Sequence, residues 1–285
     1  MAGCTYDPGY GGRSSDSWAA QLATDTTANA RADAAVALGR VLELQPNQPV
    51  AVAALIRALA DTSDPVRASA ARALMGAARA GRRARAALPG AVPKLAALLA
   101  DSAHPRVRAD AAEVLGVLGT AAGPDGARAL ARALRDPDAG VRGAALVGVG
   151  AIGPSVRASV PELDTVLARL ATQDPNAHTR GAAVSAMGAL GVAARVAVPA
   201  LARAASDGEA GVRAAAVTVL GGLDASTAPA ARAALTQALA DPDPVVRREA
   251  AHALSAWHRR GSEDPAMPEP SRLELCASNP RAVGC

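Results

Sequence analysis

Residues 136 to 150 read DPDAGVRGAALVGVG, and the same arrangement of Asp, Arg, Ala and Gly recurs along the 285-residue chain. The arginine in this stretch is one of seven, here called the anchor arginines, that stand 33 to 41 residues apart: Arg31, Arg67, Arg108, Arg142, Arg180, Arg213 and Arg247. Alanine stands three positions after every anchor, and a larger apolar residue stands seven positions after it. Aspartate stands six positions before six of the anchors, and in the remaining repeat Asp101 is displaced by one residue. This agreement at fixed offsets indicates seven internal repeats.

Each repeat is predicted to contain two helices. Offsets of three, four and seven place side chains on one face of a helix, as for Val246, Ala250 and Leu254. Asp243-Pro244 is a typical helix start, because Asp caps free backbone N–H groups and proline fits the first turn. A second segment with apolar periodicity precedes each aspartate, so each repeat is a helix, a tight turn and a second helix. Glycine follows the anchor by eight positions in five repeats, and there it predicts a left-handed cap: Gly39, Gly116, Gly150, Gly188 and Gly221.

The composition also favours stacked thin helices over one large core. Half of the residues are apolar, yet the chain has no Phe, two Trp and two Tyr. A single helical hairpin cannot bury its own apolar face, so such repeats must stack on one another. We therefore predict an all-α solenoid of about seven hairpins over residues 17–260. A flexible leader is expected at residues 1–16, and a Pro-rich tail at residues 261–285.

The repeat resembles a known family. The stretch from Asp136 to Ala145, followed by Gly148 and Gly150, is similar to the HEAT repeat, and most similar to the short subtype shared with phycobilisome lyase subunits. The resemblance covers about residues 20 to 258. It implies a ladder in which turn aspartates and second-helix arginines link neighbouring repeats. Asp136 with Arg142, and Asp241 with Arg247, are the members that the resemblance implies, and their expected role is structural.

The sequence contains no recognisable catalytic or metal-binding pattern. His252 and His258 stand six residues apart on one predicted helix, so they point in different directions and cannot share a metal ion. The Gly-rich residues 148–153 follow no predicted strand, which a phosphate-binding loop would require. We therefore predict no catalytic residue, no metal site and no cofactor.

The candidate binding surface is the exposed wall of the second helices. We expect the side chains two and five positions after each anchor to lie on it. These positions hold four acidic residues, one arginine and no aromatic residue. The ionisable members, predicted to contact a partner, are Asp33, Arg72, Asp110, Glu113, Glu249 and His252.

The charge of this wall bears on the class of partner. The net charge of +4 and the pI near 9.5 come from arginines elsewhere, such as Arg128, Arg132 and Arg135 on a first helix. A weakly acidic wall without aromatic residues disfavours a phosphate backbone. We therefore expect a protein partner and no specific nucleic-acid binding.

The two ends of the chain carry the three cysteines. Met1-Ala2-Gly3-Cys4 resembles the end of a bacterial lipoprotein signal, in which the cysteine is lipidated, although a plain disordered leader is the alternative. Cys276 and Cys285 bracket turn-forming residues and could form a disulfide, or they are two separate surface thiols. A lipidated Cys4 would tether the chain to a membrane in the cell envelope or periplasm. Without it, the expected location is the cytoplasm.

The function expected from these observations is a non-catalytic scaffold for protein–protein interaction. The alternative, which the short-repeat resemblance implies, is a lyase or chaperone-type subunit that assists a cofactor-bearing partner. No apolar run reaches the roughly 20 residues that cross a bilayer.

Overall fold

The computed structural model describes residues 10–45, 47–80, 88–101, 103–223 and 229–260. In these ranges the regular structure is helical and no β-strand occurs. The described residues form two compact units, unit 1 up to Val160 and unit 2 from Pro161. Helical hairpins build both units, which confirms the predicted all-α fold. The leader up to residue 9 and the tail from residue 261 lie outside the described ranges.

Unit 1 contains the first four repeats. Its helices are α1 (Ser15–Thr24), α2 (Ala28–Leu44), α3 (Pro49–Ala58), α4 (Asp64–Arg79), α5 (Val92–Asp101), α6 (Pro105–Leu118), α7 (Gly123–Ala133) and α8 (Ala139–Ile152). The even-numbered helices carry the anchor arginines and are the second helices of the hairpins. Among these second helices α2 packs against α4, α4 against α6 and α6 against α8, while α1 packs on α3 and α5 on α7.

Unit 2 contains the last three repeats. Its helices are α9 (Leu163–Gln173), α10 (Ala177–Leu190), α11 (Ala194–Ala204), α12 (Ala210–Gly221), α13 (Pro229–Ala238) and α14 (Pro244–Arg259). The second helices α10, α12 and α14 pack in that order, and the first helices α9, α11 and α13 do the same. The predicted stripe of Val246, Ala250 and Leu254 is fully buried, so the apolar periodicity identifies the core correctly.

The last second helix, α14, begins as the sequence predicts. The carboxylate of Asp243 accepts hydrogen bonds from the backbone N–H groups of Val245 and Val246, and Pro244 occupies the first turn of α14. Asp138 caps α8 in the same way by accepting from the backbone of Val141 at 3.1 Å. These caps satisfy backbone donors that a helix start leaves free.

The glycines eight positions after the anchors have a different role from the predicted one. Gly116 lies inside α6, and a Cβ atom there would lie 2.8 Å from the Cα of Gly148 on α8. The left-handed cap that ends α10 is Gly191, eleven positions after its anchor, with φ of +60°. The prediction of a cap at the earlier position was therefore wrong. Gly116 instead allows two neighbouring second helices to approach closely, because any side chain there would strike the next backbone.

Candidate protein-binding surface

The anchor arginines join consecutive repeats through paired hydrogen bonds. The Nε and Nη2 atoms of Arg108 donate to the two carboxylate oxygens of Asp136, at 2.7 and 2.8 Å. Asp136 belongs to the turn of the following repeat. The same two-pronged contact occurs, at 2.6 to 2.9 Å, in the pairs Arg31–Asp61, Arg180–Asp207 and Arg213–Asp241. This is a ladder between neighbours, and the side chains in it are largely buried.

Within one repeat the anchor arginine contacts the backbone of the turn. Arg142 donates from Nη1 to the carbonyl oxygens of Asp136 and Pro137, both at 2.9 Å. Arg247 makes the equivalent contacts with Asp241 and Pro242. The implied pairs Asp136–Arg142 and Asp241–Arg247 therefore meet through main-chain carbonyls. The carboxylate of each aspartate faces the preceding repeat, whose arginine is long enough to reach it.

The paired hydrogen bonds shift the acidity of the turn aspartates. The guanidinium of Arg31 holds the pKa of Asp61 below its ordinary value, and Arg180 lowers the pKa of Asp207 in the same way. A carboxylate that accepts charged hydrogen bonds is stabilised in its ionised form. The ladder therefore keeps its charges at neutral pH, which fits the structural role expected for it.

The ladder changes at Arg67, in the repeat before the displaced aspartate. Arg67 is buried and forms an ion pair with Asp64 of its own repeat. Its Nε atom is buried without a hydrogen-bond acceptor. The one-residue displacement of Asp101 in the sequence coincides with this change.

The side chain five positions after each anchor is exposed on every second helix. In unit 1 these residues are Val36, Arg72, Glu113 and Val147. In unit 2 they are Ser185, Thr218 and His252. Val36 is 48% exposed and Val147 is 68% exposed, unusually high values for large apolar residues in this chain. This part of the predicted wall is confirmed as a solvent-facing surface.

The side chain two positions after the anchor is less exposed: it is buried in two repeats, half-buried in four and exposed in one. Asp110 is 2% exposed and Ser69 is 5% exposed, whereas Asp33 is exposed and Glu249 is half-buried. The expectation that Asp110 lies on the outer wall was wrong. The side chain at this position points toward a neighbouring second helix. Helical periodicity within one repeat does not show on which side that neighbour packs.

Asp110 lies beneath a charged cluster on α4 and α6. Its Oδ1 atom is 3.2 Å from Nε of the exposed Arg106, while Oδ2 is buried without a hydrogen-bond partner. Burial raises the pKa of Asp110, partly offset by the positive charge of Arg106. Arg72 also donates to the hydroxyl of Ser69 at 3.2 Å, so it is held on the outer side of α4.

The wall of unit 2 contains a groove between α10 and α12. Its volume is about 530 Å³, and none of its lining residues is ionisable. Small side chains form much of its surface, including Ser185, Ala189, Ala215 and Thr218. The groove can therefore supply apolar contact and shape, whereas the wall of unit 1 supplies charges.

The remaining expectations concern metals, membranes and cysteines. Among the residues that the structure describes, no group of three or more His, Cys, Asp or Glu side chains could hold a metal ion. No helix within the same residues has the length and apolar character needed to cross a membrane. Cys4, Cys276 and Cys285 lie outside the described residues, so their predicted roles stay predictions.

Comparison with known proteins supports the repeat assignment. A family model described as HEAT repeats matches residues 15–116, 92–188, 127–221 and 198–266. No curated protein is significantly similar to the chain in sequence.

Three solved structures are similar to the chain at low sequence identity, and two of them have TM-scores above 0.5. A designed armadillo repeat protein in complex with the peptide (KR)4 is 19% identical, with a TM-score of 0.55 over 71% of this chain and 98% of that one. YibA of Escherichia coli is 17% identical, with a TM-score of 0.56 over 93% and 92%. The complex of CpcE and CpcF of phycocyanin lyase from Nostoc sp. PCC7120 is 22% identical, with a TM-score of 0.45 over 93% and 94%. The family matches extend over most of the helical hairpins described above, and the chain belongs to the HEAT-repeat family.

Proposed function

We propose that this chain is a non-catalytic scaffold that binds another protein through the wall of its second helices. The observation that carries the proposal is the exposed side chain five positions after every anchor, on seven successive second helices. Repeated hairpins of this kind present extended binding surfaces, each repeat adding one row.

The chemistry of the wall in unit 1 favours a protein partner. Arg72 and Glu113 place charges of opposite sign beside the exposed Val36 and Val147. Such mixed surfaces suit protein interfaces, in which apolar contacts combine with complementary charges. A phosphate backbone would instead require an excess of positive charge.

The groove in unit 2 supports the same function, because it offers the partner an apolar contact. Its lining by Ala215, Ala189 and other small residues leaves room for an apolar side chain of the partner. Because no ionisable group lines it, the groove favours binding over acid–base chemistry.

The test begins by capturing the partner from the native cells with the tagged full chain and identifying it by mass spectrometry. Binding of the purified partner is then measured for Glu113→Arg and for Arg132→Glu. Both change one exposed charge in unit 1, the first on a second helix and the second on a first helix. We expect Glu113→Arg to raise Kd about tenfold, which corresponds to about 1.4 kcal/mol. Arg132→Glu should change it less than about twofold.

The same experiment separates the scaffold from its alternative. If Arg132→Glu loses binding and Glu113→Arg binds as the parent does, docking on the second-helix wall is contradicted. A partner that acquires a covalent cofactor only in the presence of this chain would instead establish a lyase or chaperone-type subunit.

The proposal includes a location in a bacterial cell envelope. The tripeptide Ala2-Gly3-Cys4, followed by residues rich in Gly, Ser and Asp, supports lipidation of Cys4. In native cells the parent chain should appear in the membrane fraction, and Cys4→Ser should move it to the soluble fraction. An unmodified Cys4 in the mass spectrum of the native protein would exclude the lipoprotein.

A further inference from the structure

The last anchor arginine, Arg247, lacks the acidic partner that four earlier anchors have. In Arg213 the Nε and Nη2 atoms donate to the two carboxylate oxygens of Asp241, in the turn of the following repeat, at 2.7 and 2.9 Å. Arg247 is 7% exposed, and its Nε atom is buried without an acceptor. Within the described residues its side chain donates only from Nη1, to the carbonyl oxygens of Asp241 and Pro242. We call the Nε and Nη2 side of this guanidinium the unpaired edge.

The unpaired edge has the chemistry of a carboxylate site. A buried N–H group without an acceptor costs free energy, and the cost is larger when the group is charged. The Nε and Nη2 atoms of a guanidinium match the two oxygens of a carboxylate, which accepts two parallel hydrogen bonds. The ladder shows this fit at four other anchors, with hydrogen bonds of 2.6 to 2.9 Å. The group expected at the unpaired edge is therefore the carboxylate of an aspartate or a glutamate.

The Pro-rich tail, residues 261–285, supplies acids directly after α14. It contains Glu263, Asp264, Glu269 and Glu274. In the ladder an anchor and its aspartate stand 27, 28 or 30 positions apart in the sequence. Glu274 stands 27 positions after Arg247, whereas the other three acids of the tail stand closer to it than any pair of the ladder. Glu274 therefore occupies the position in the sequence that an eighth turn aspartate would have.

The length of the tail also permits this contact. Arg247 lies in the first turn of α14, and the described residues end at Arg260. The chain must therefore run back about 20 Å along the helix, at about 1.5 Å per residue. Glu274 follows Arg260 by 14 residues, which can span up to about 46 Å. Asp264 follows it by four residues, which span at most about 14 Å and do not cover that length.

We infer that the carboxylate of Glu274 binds the unpaired edge of Arg247, so that the protein's own tail covers the C-terminal end of the stack. Solenoids require such a cap, because the last repeat has no neighbour to bury its open side. The contact also takes up the arginine to which the turn of a second copy could otherwise bind. Head-to-tail addition of copies would build a filament or a ring, and an occupied Arg247 disfavours it.

The experiment measures how well the tail of the full chain is protected from trypsin. Arg272 precedes Glu274 by two residues, so the rate of cleavage after Arg272 reports whether this part of the tail is held. The cleaved tail peptide is followed by mass spectrometry. The variants are Glu274→Gln, Arg247→Gln and the two combined. Glu269→Gln is the matched control, because it removes the same charge from the same tail. A melting curve for each variant verifies that it is folded.

We expect Glu274→Gln to accelerate this cleavage about tenfold, the factor that corresponds to about 1.4 kcal/mol of lost contact. Arg247→Gln should do the same, and the combined variant should be cleaved no faster, because both substitutions remove one contact. If Arg247→Gln does not fold, Arg247→Lys takes its place, since lysine keeps the charge but not the paired geometry. Glu269→Gln should stay within about twofold of the parent, less than about 0.5 kcal/mol.

Three outcomes would overturn the inference. In the first, Glu274→Gln and Arg247→Gln act additively, so that the two residues are not coupled. In the second, Glu269→Gln accelerates cleavage as much as Glu274→Gln does, so that the contact is not specific to Glu274. In the third, mixing the two single variants slows cleavage, because Glu274 of one copy then binds Arg247 of another. We expect the mixture to be cleaved at the mean rate of its components.

Discussion

Arg108 of one repeat holds the carboxylate of Asp136 in the next repeat through hydrogen bonds of 2.7 and 2.8 Å. Because the contact crosses from one hairpin to its neighbour, it fixes how far and at what angle the hairpins stack. Planar guanidinium and carboxylate groups meet in one geometry, which a point charge such as lysine would not impose. The ladder thus sets the spacing of the exposed wall that the partner is proposed to contact.

Removing this arginine should weaken the stack. Arg108→Ala removes the two guanidinium donors from the largely buried carboxylate of Asp136, which keeps the backbone N–H of Asp138. The expected cost is about 1–3 kcal/mol in the free energy of unfolding. Chemical denaturation checks this value. Arg128→Ala is the control, because its ion pair with Asp125 is solvent-exposed and should contribute less than about 1 kcal/mol. Equal stabilities of the two variants would contradict the structural role of the ladder.

The ladder should also make the protein sensitive to acid. The pKa values of Asp61 and Asp207 are lowered in the folded state, chiefly by hydrogen bonds from Arg31 and Arg180. Their contribution to stability is present above the ordinary value of 3.8 and is lost as pH falls through the lower folded pKa. In Asp61→Asn/Asp207→Asn the denaturation midpoint should be lower at pH 7 and should fall less on acidification. If the denaturation midpoints of parent and variant change with pH in parallel, these ion pairs do not contribute to the pH dependence of stability.

Asp110 should behave in the opposite sense. Burial raises its pKa, so its contribution favours folding below the ordinary value of 3.8 and is lost as pH rises toward the folded pKa. Asp110→Asn removes this titration. The free energy of unfolding of Asp110→Asn minus that of the parent should therefore be larger at pH 7 than at pH 3. Chemical denaturation of both proteins at the two pH values measures this difference. A difference that stays constant between the two would mean that Asp110 is not perturbed by its surroundings.

Nucleic acid should not be a specific partner. The second-helix wall of unit 1 combines Asp33 and Glu113 with exposed valines and has no aromatic side chain that could stack on a base. Titration of labelled duplex and single-stranded DNA at ~150 mM salt should give only weak Kd values, of about 10⁻⁴ to 10⁻⁶ M. Affinity should depend steeply on salt and not on sequence. Tight binding to one sequence at this salt would refute the protein-scaffold proposal.

The sequence predicts the contents of a hairpin better than the contact between hairpins. Apolar periodicity located the buried stripe of Val246, Ala250 and Leu254, and Asp243 was recognised as a cap because both signals are local. The burial of Asp110 was missed because it depends on the rotation of one second helix against the next. Neighbouring-repeat geometry also determines which aspartate an anchor arginine reaches.

The close approach of two second helices at Gly116, eight positions after its anchor, can be tested by adding a side chain there. Gly116→Val would place a Cβ atom 2.8 Å from the Cα of Gly148, and a backbone atom cannot rotate away as a side chain can. We expect a loss of about 1–3 kcal/mol in the free energy of unfolding, which outweighs the gain of a few tenths of a kcal/mol in helix propensity. Gly211→Val is the matched control, since a Cβ atom at this exposed glycine of α12 would meet no other part of the protein within 4 Å. That variant should change stability by less than about 0.5 kcal/mol. If both variants unfold at the parent's denaturant midpoint, Gly116 does not mediate the close approach of α6 and α8.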